Sequence, residues 1–236
     1  MPLTVYSCCT YSTLRRRRTQ EQWAALYFVK AIKRTPLKGY AYVPLPGEAR
    51  AYLDRDTCNL AADWFGRIAA ACLTWDRIGP LALVPLPDAG CGLSVARAPK
   101  VLPLADAFVR ALAPGTATVL DVLRWVKPMP SAHQAGGTRD PQELYGHLRL
   151  ALPRLPQDNA DVVLVDDVLA SGGHLRAAAA FLSDCGANVI AAVCAGRADD
   201  TEADDLEPFK IRTDVLPDFV SDPDWLLPMV IDGVDL

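Results

Sequence analysis

Asp166 and Asp167 stand side by side at the end of an apolar run, Val162-Val-Leu-Val, and lead into Val168-Leu-Ala-Ser-Gly-Gly-His174. A continuous β-branched run of this kind forms a strand buried in a parallel sheet. Open α/β sheets collect ligands at the carboxyl ends of such strands. Gly172 and Gly173 allow backbone N–H groups to approach an anion, and the helix that follows adds partial positive charge at its start. Two carboxylates beside an anion cradle repel that anion unless they hold something else. Sugar hydroxyls or a hydrated metal ion suit them.

A second apolar run, Val84-Pro-Leu-Pro-Asp-Ala-Gly-Cys91, also ends in an acid and small residues. Lys127–Pro141 is rich in Pro, Gly, Ser and His and has no periodic face, so it reads as a mobile loop. Ser94 and Ser171 have no identifiable base, and no nucleophilic triad stands out. The seven cysteines form no CxxC pair and are odd in number, and His133, His147 and His174 are not spaced with them as zinc ligands. Most of the thiols sit among Ala, Leu and Val, which suits free, buried sulfurs in a reducing cytoplasm.

The elements that must position these residues alternate along the chain. Thr19 with Gln22 makes a capping box, and Trp23, Leu26, Tyr27 and Lys30 continue a helix to about Arg34. Pro36 and Gly39 end it. A weak strand is expected over Tyr40–Leu45 and a second helix from Thr57 to Leu73. Strands follow at Leu81–Pro87 and Thr118–Val126, with a helix over Leu104–Leu112 between them. A short helix is expected at Gln142–Leu150. The strand at Val162–Val165 leads to a helix over Leu175–Cys185, closed by Gly186, and to a strand at Val189–Ala195. Apolar strands alternating with helices predict an α/β fold with a mostly parallel sheet flanked by helices.

At 236 residues and 51% hydrophobic content, the chain can bury a full core. A net charge of −4 argues against a protein that binds nucleic acid over its whole surface. The run Arg15–Arg18 is the local exception and leaves a nucleic-acid contact open there, while Asp199–Glu207 is acidic. No stretch has the roughly 18 apolar residues of a membrane span, so a cytoplasmic protein without a membrane partner is expected.

The segment Val162–His174 resembles the signature of type I phosphoribosyltransferases, which bind phosphoribosyl pyrophosphate (PRPP). The resemblance implies that Asp166 and Asp167 hold the ribose 2′- and 3′-hydroxyls and serve the chemistry. It implies that Ala170, Ser171, Gly172, Gly173 and His174 wrap the 5′-phosphate. Val84–Cys91 resembles the pyrophosphate loop of the family, with Asp88, Ala89 and Gly90 as its contacts. Ser131–His147 resembles the flexible-loop region of ComF-like phosphoribosyltransferases, with Gln134, Arg139 and His147 as candidates. Arg139 and Lys127 would neutralise the departing pyrophosphate as the loop closes.

The implied reaction is transfer of phosphoribosyl to or from a small nitrogenous base, with Mg²⁺ held through PRPP and by Asp166 and Asp167. A sensor of the same fold, binding PRPP or a nucleotide without turnover, is the alternative. The sequence departs from the family where Ala170 and His174 replace the usual threonines of the cradle. Family members acting on 6-oxopurines place an Asp at the position of Ala170, so its absence speaks against hypoxanthine or guanine. The implied organisation is an α-rich N-terminal segment or hood (1–75), a core (76–198) and an acidic extension (199–236), with homodimerisation left open.

Overall fold

The run at Val162 becomes the centre of a parallel sheet. A computed structural model describes residues 2–14, 18–47, 50–72, 80–130, 137–151, 160–200 and 207–220. Strand β1 (Leu3–Ser7) and strand β2 (Thr10–Ser12) precede helix α1 (Gln20–Ile32) and a hairpin of β3 (Ala41–Val43) and β4 (Ala51–Leu53). Helix α2 (Ala61–Cys72), β5 (Leu81–Pro85), α3 (Leu102–Ala111), β6 (Ala117–Val119) and β7 (Leu123–Trp125) come next. The remainder is α4 (Pro141–His147), β8 (Leu148–Leu150), β9 (Asp161–Leu169), α5 (Gly173–Asp184), β10 (Asn188–Asp199) and β11 (Arg212–Leu216).

The main sheet runs β11-β1-β10-β9-β5-β6, and β2 follows β1 along the same edge of β10. Every pairing in it is parallel except β1 with β11. Alternation along the strands divides the core in two. Leu83, Val163 and Val165 face Phe28 of α1, Phe65 of α2 and Phe108 of α3. Val84, Val162 and Leu164 face Tyr145 of α4 and Leu175 and Leu182 of α5. The mostly parallel, helix-flanked sheet expected from the sequence is therefore the fold.

Several boundaries differ. The expected strand over Thr118–Val126 is two strands. β6 joins the sheet beside β5, whereas β7 leaves it to pair antiparallel with β8. Between them the Asp121 carboxylate accepts two hydrogen bonds from the Arg124 guanidinium, at 2.6 and 2.8 Å. The helix expected over Gln142–Leu150 ends at His147, and its last three residues are β8. Asp140 caps its start by accepting from the Gln142 N–H at 3.1 Å. Residues 1–75 do carry two helices, yet they open with β1 and β2, strands of the main sheet that the periodicity did not reveal. All seven cysteines are free thiols, and Cys8, Cys9, Cys91 and Cys194 are buried.

Candidate functional site

Strand β9 brings its two acids to the carboxyl edge of the sheet, where a cavity of about 350 Å³ opens. Successive side chains of a strand point to opposite faces, so Asp166 and Asp167 approach this cavity from the two sides of β9. Both line it and both are half-buried. The Asp167 N–H donates to Asp166 Oδ1 at 2.8 Å. Burial, reinforced by the neighbouring Asp167 charge, pushes the Asp166 carboxyl from 3.8 up to about 8. Burial raises Asp167 too, against the opposing pull of Lys33, whose Nζ lies 3.8 Å from Asp167 Oδ2.

The turn after β9 is built for close approach. Gly172 sits at φ 75, a left-handed conformation that side chains resist, and α5 starts at the next residue. A Cβ on Gly173 would lie 2.0 Å from the Arg139 carbonyl oxygen. This glycine thus lets the 137–140 segment pack against the helix start, a role the motif alone did not suggest. Ala170 and Ser171 are exposed beside it. His174 stacks on Trp125, with ring centroids 5.1 Å apart and planes at 24°. Its Nε2 is buried without a hydrogen-bond partner among the described residues, and burial pushes the imidazole down to about 4. A proton on Nε2 would find no acceptor, so His174 is neutral at physiological pH and adds no cation to the cradle.

The loop after β5 is held by Asp88. Its carboxylate accepts from the N–H groups of Gly90 at 3.1 Å and Lys100 at 2.9 Å, and it pairs with Arg97 at 3.7 Å. Burial works against the charge, but these donors hold the carboxyl below its ordinary value. The Trp125 Nε1–H donates to the Asp88 carbonyl at 3.1 Å, and the Met129 N–H donates to that of Ala89 at 2.9 Å. Asp88 organises its own loop, and that loop forms one wall of the cavity.

The structure brings Asp88, Ala89, Arg139, Asp166, Asp167 and Ala170–His174 to this one cavity. Gly90, Lys127 and His147 do not line it, and Gln134 lies outside the described residues. Among the lining residues missed from sequence are Lys33 at the end of α1, Lys100 ahead of α3, and Trp125 on β7. Each lies far along the chain from the acidic pair, and only folding makes them neighbours.

The donor set fits a hard cation. Asp166 and Asp167 present carboxylate oxygens to the cavity, and oxygen is what Mg²⁺ prefers. Among the described residues no group of three or more His, Cys, Asp or Glu could hold a metal alone. A metal here would complete its shell with oxygens of a bound ligand and water.

Residues 68–226 match the family model described as phosphoribosyl transferase domain. The chain is 47% identical over 76 residues to an adenine phosphoribosyltransferase of Mycolicibacterium smegmatis, covering 31% of this chain and 40% of that protein. It is 51% identical over 47 residues to one of Corynebacterium kroppenstedtii, covering 19% and 26%. The chain thus spans less than half the length of these curated relatives. The solved adenine phosphoribosyltransferase of Thermoanaerobacter pseudethanolicus superposes with a TM-score of 0.37 at 16% identity, covering 72% of this chain and 99% of that one.

Proposed function

The chain belongs to the phosphoribosyl transferase domain family, and from that premise we propose that it binds PRPP at the end of β9 and transfers phosphoribosyl between pyrophosphate and a nitrogenous base. The observation that carries this reading is the acidic pair: two half-buried carboxylates face an open cavity, beside a left-handed glycine and a helix start. Asp166 and Asp167 would accept hydrogen bonds from ribose hydroxyls. The N–H groups from Ala170 to His174, with the Ser171 hydroxyl, would take the 5′-phosphate. Arg139 and the Asp88–Gly90 loop would receive the pyrophosphate, with Lys127 supporting it from the segment after β7. Lys33 and Lys100, at the same cavity, join them as cations.

Departure of pyrophosphate leaves positive charge on the sugar ring, so positioning and charge stabilisation do the catalytic work and no nucleophile is required. A bound Mg²⁺ would supply charge to the departing pyrophosphate. Asp166 and Asp167 would steady the developing positive charge through the hydroxyls they hold. Adenine is the first acceptor to test, because the curated relatives are named for it and Ala170 provides no acid for a 6-oxopurine. The reading carries a place in nucleotide metabolism, a cytoplasmic location, and the division into a hood (1–75), core (76–198) and acidic extension (199–236). Among the described residues no helix is long and apolar enough to cross a membrane.

One observation favours a second reading, binding without turnover: Ala170 and a neutral His174 stand where hydroxyl donors are expected. Calorimetry with PRPP, with and without Mg²⁺, tests the binding. Pyrophosphate release across a panel of bases separates enzyme from sensor. Asp166→Asn/Asp167→Asn should lose Mg²⁺-dependent PRPP binding with a near-normal melting temperature. Lys33→Met should weaken PRPP binding about tenfold, while its exposed ion pair contributes no more than about 1 kcal/mol to stability. Normal PRPP affinity in a folded double-Asn variant would sink the assignment.

A further inference from the structure

The β3–β4 hairpin stands outside the main sheet and presents one face outward. Ala41, Val43 and Leu53 turn inward and are at most 4% exposed. Tyr42 and Tyr52, opposite each other in register, are 39% and 43% exposed, and Tyr40 is 60% exposed. The three rings cluster with centroids 5.5 to 6.0 Å apart. Gly39 lies against Tyr27, where a Cβ would be 3.1 Å from the ring hydroxyl, and Tyr27 meets Trp23 edge-on at 5.8 Å. The tyrosine cluster of the hairpin and the Trp23–Tyr27 pair of α1 are joined along the chain through Gly39.

Cations border these rings. The Arg18 guanidinium lies 5.0 Å from the Trp23 ring centre and the Lys30 ammonium 5.6 Å from that of Tyr27. Lys38 is exposed in the connection between them and the hairpin. Of the nearby acids, Glu21 pairs with Arg50 at 3.3 Å, and the Asp54 carboxylate accepts from the Asp56 and Thr57 N–H groups within its own turn. Residues 1–75 hold eleven Lys and Arg against five Asp and Glu, a net +6; with −4 overall, the rest of the chain carries −10.

We propose that this face binds single-stranded nucleic acid, with bases stacking on the tyrosine cluster and phosphates drawn to Lys30 and Lys38. A contiguous exposed aromatic patch marks an interaction surface, and the +6 segment selects a polyanion as its partner. Unpaired bases offer flat faces to exposed rings, whereas a duplex keeps those faces inside its stack. A second copy would bring two net-positive N-terminal segments together. The inference does not depend on the PRPP reading.

Fluorescence anisotropy of the full chain with a labelled single strand of about 12 nucleotides, and with the matching duplex, tests it. We expect the single strand to bind at least about tenfold tighter than the duplex. Its affinity should fall steeply between about 50 and 200 mM salt. Tyr40→Ala/Tyr52→Ala should weaken it about tenfold or more, with PRPP binding and melting temperature unchanged. Tyr40→Ala alone, at the most exposed ring, should show part of the loss without risk to the hairpin. Absence of single-strand binding, equal affinity for duplex, or undiminished binding by the tyrosine variants would each overturn the proposal. So would a wild-type chain that ignores the oligonucleotide but dimerises through these tyrosines in sedimentation.

Discussion

Burial and the neighbouring Asp167 disfavour the charged form of Asp166 and raise its carboxyl well above that of a carboxylate in water. This has a measurable sign. A carboxyl raised in the folded state contributes stability that is complete below about 3.8 and is lost as pH rises through about 8. His174 works the other way: its lowered imidazole contributes stability above about 6.5 that is lost as pH falls towards 4. The two slopes oppose each other at acid pH, where the raised Asp167 carboxyl acts in the same sense as Asp166, and above 6.5 the His174 contribution is complete. Thermal melts of the ligand-free protein should therefore fall between pH 6.5 and 8. Asp166→Asn should flatten that fall, and a slope unchanged in this variant would refute the assignment. That the acidic pair, Ser171 and the two glycines gather at one cavity was legible because they are contiguous. Lys33, Lys100 and Trp125 were not, because nothing local to them marks a neighbour so distant in the chain.

Among the elements, those defined by local chemistry were the readable ones. The Thr19–Gln22 capping box forms as the residue types dictate, with Thr19 Oγ1 accepting from the Gln22 N–H at 3.2 Å and Gln22 Oε1 accepting from the Thr19 N–H at 3.0 Å. Elements defined by their partners were not. β7 and β8 are three-residue strands that exist because they meet each other, and a period read from either one alone has nothing to report. The close packing of α2 on α3 was equally hidden. A Cβ on Gly66 would lie 2.3 Å from the Ala107 carbonyl oxygen, so the two helices touch through backbone at that point. Gly66→Ala improves helix propensity but must push α3 away. A net loss of about 1–3 kcal/mol is expected, and a denaturant titration showing equal or greater stability would refute the contact.

For the molecule as a whole, the parallel sheet was legible from apolar strands alternating with helices, but its full width was not. β1 is only five residues long, and it lies between β10 and β11. Leu3, Val5 and Ser7 are buried there, so this strand belongs to the core of the sheet. Deleting residues 2–12 would remove β1 and β2, detach β11, and open the edge of β10. Such a variant should lose cooperative unfolding altogether; a sharp melt near the wild-type temperature would show that the remaining sheet stands without them.

The same placement of β1 sets a schedule. Val5 pairs with Ala192, so β1 cannot find its neighbour in β10 until synthesis has run on by a further 187 residues. At about 5–20 residues per second, that interval is roughly 10 to 40 s. Throughout it, the growing chain must carry an apolar strand with both of its hydrogen-bonding edges unmet. The sheet closes around β1 only after β10 and β11 exist. Nascent chains of this protein should therefore hold chaperones at β1 until β10 has emerged, and ribosome-bound fragments that stop before β10 should remain protease-sensitive at Leu3–Ser7.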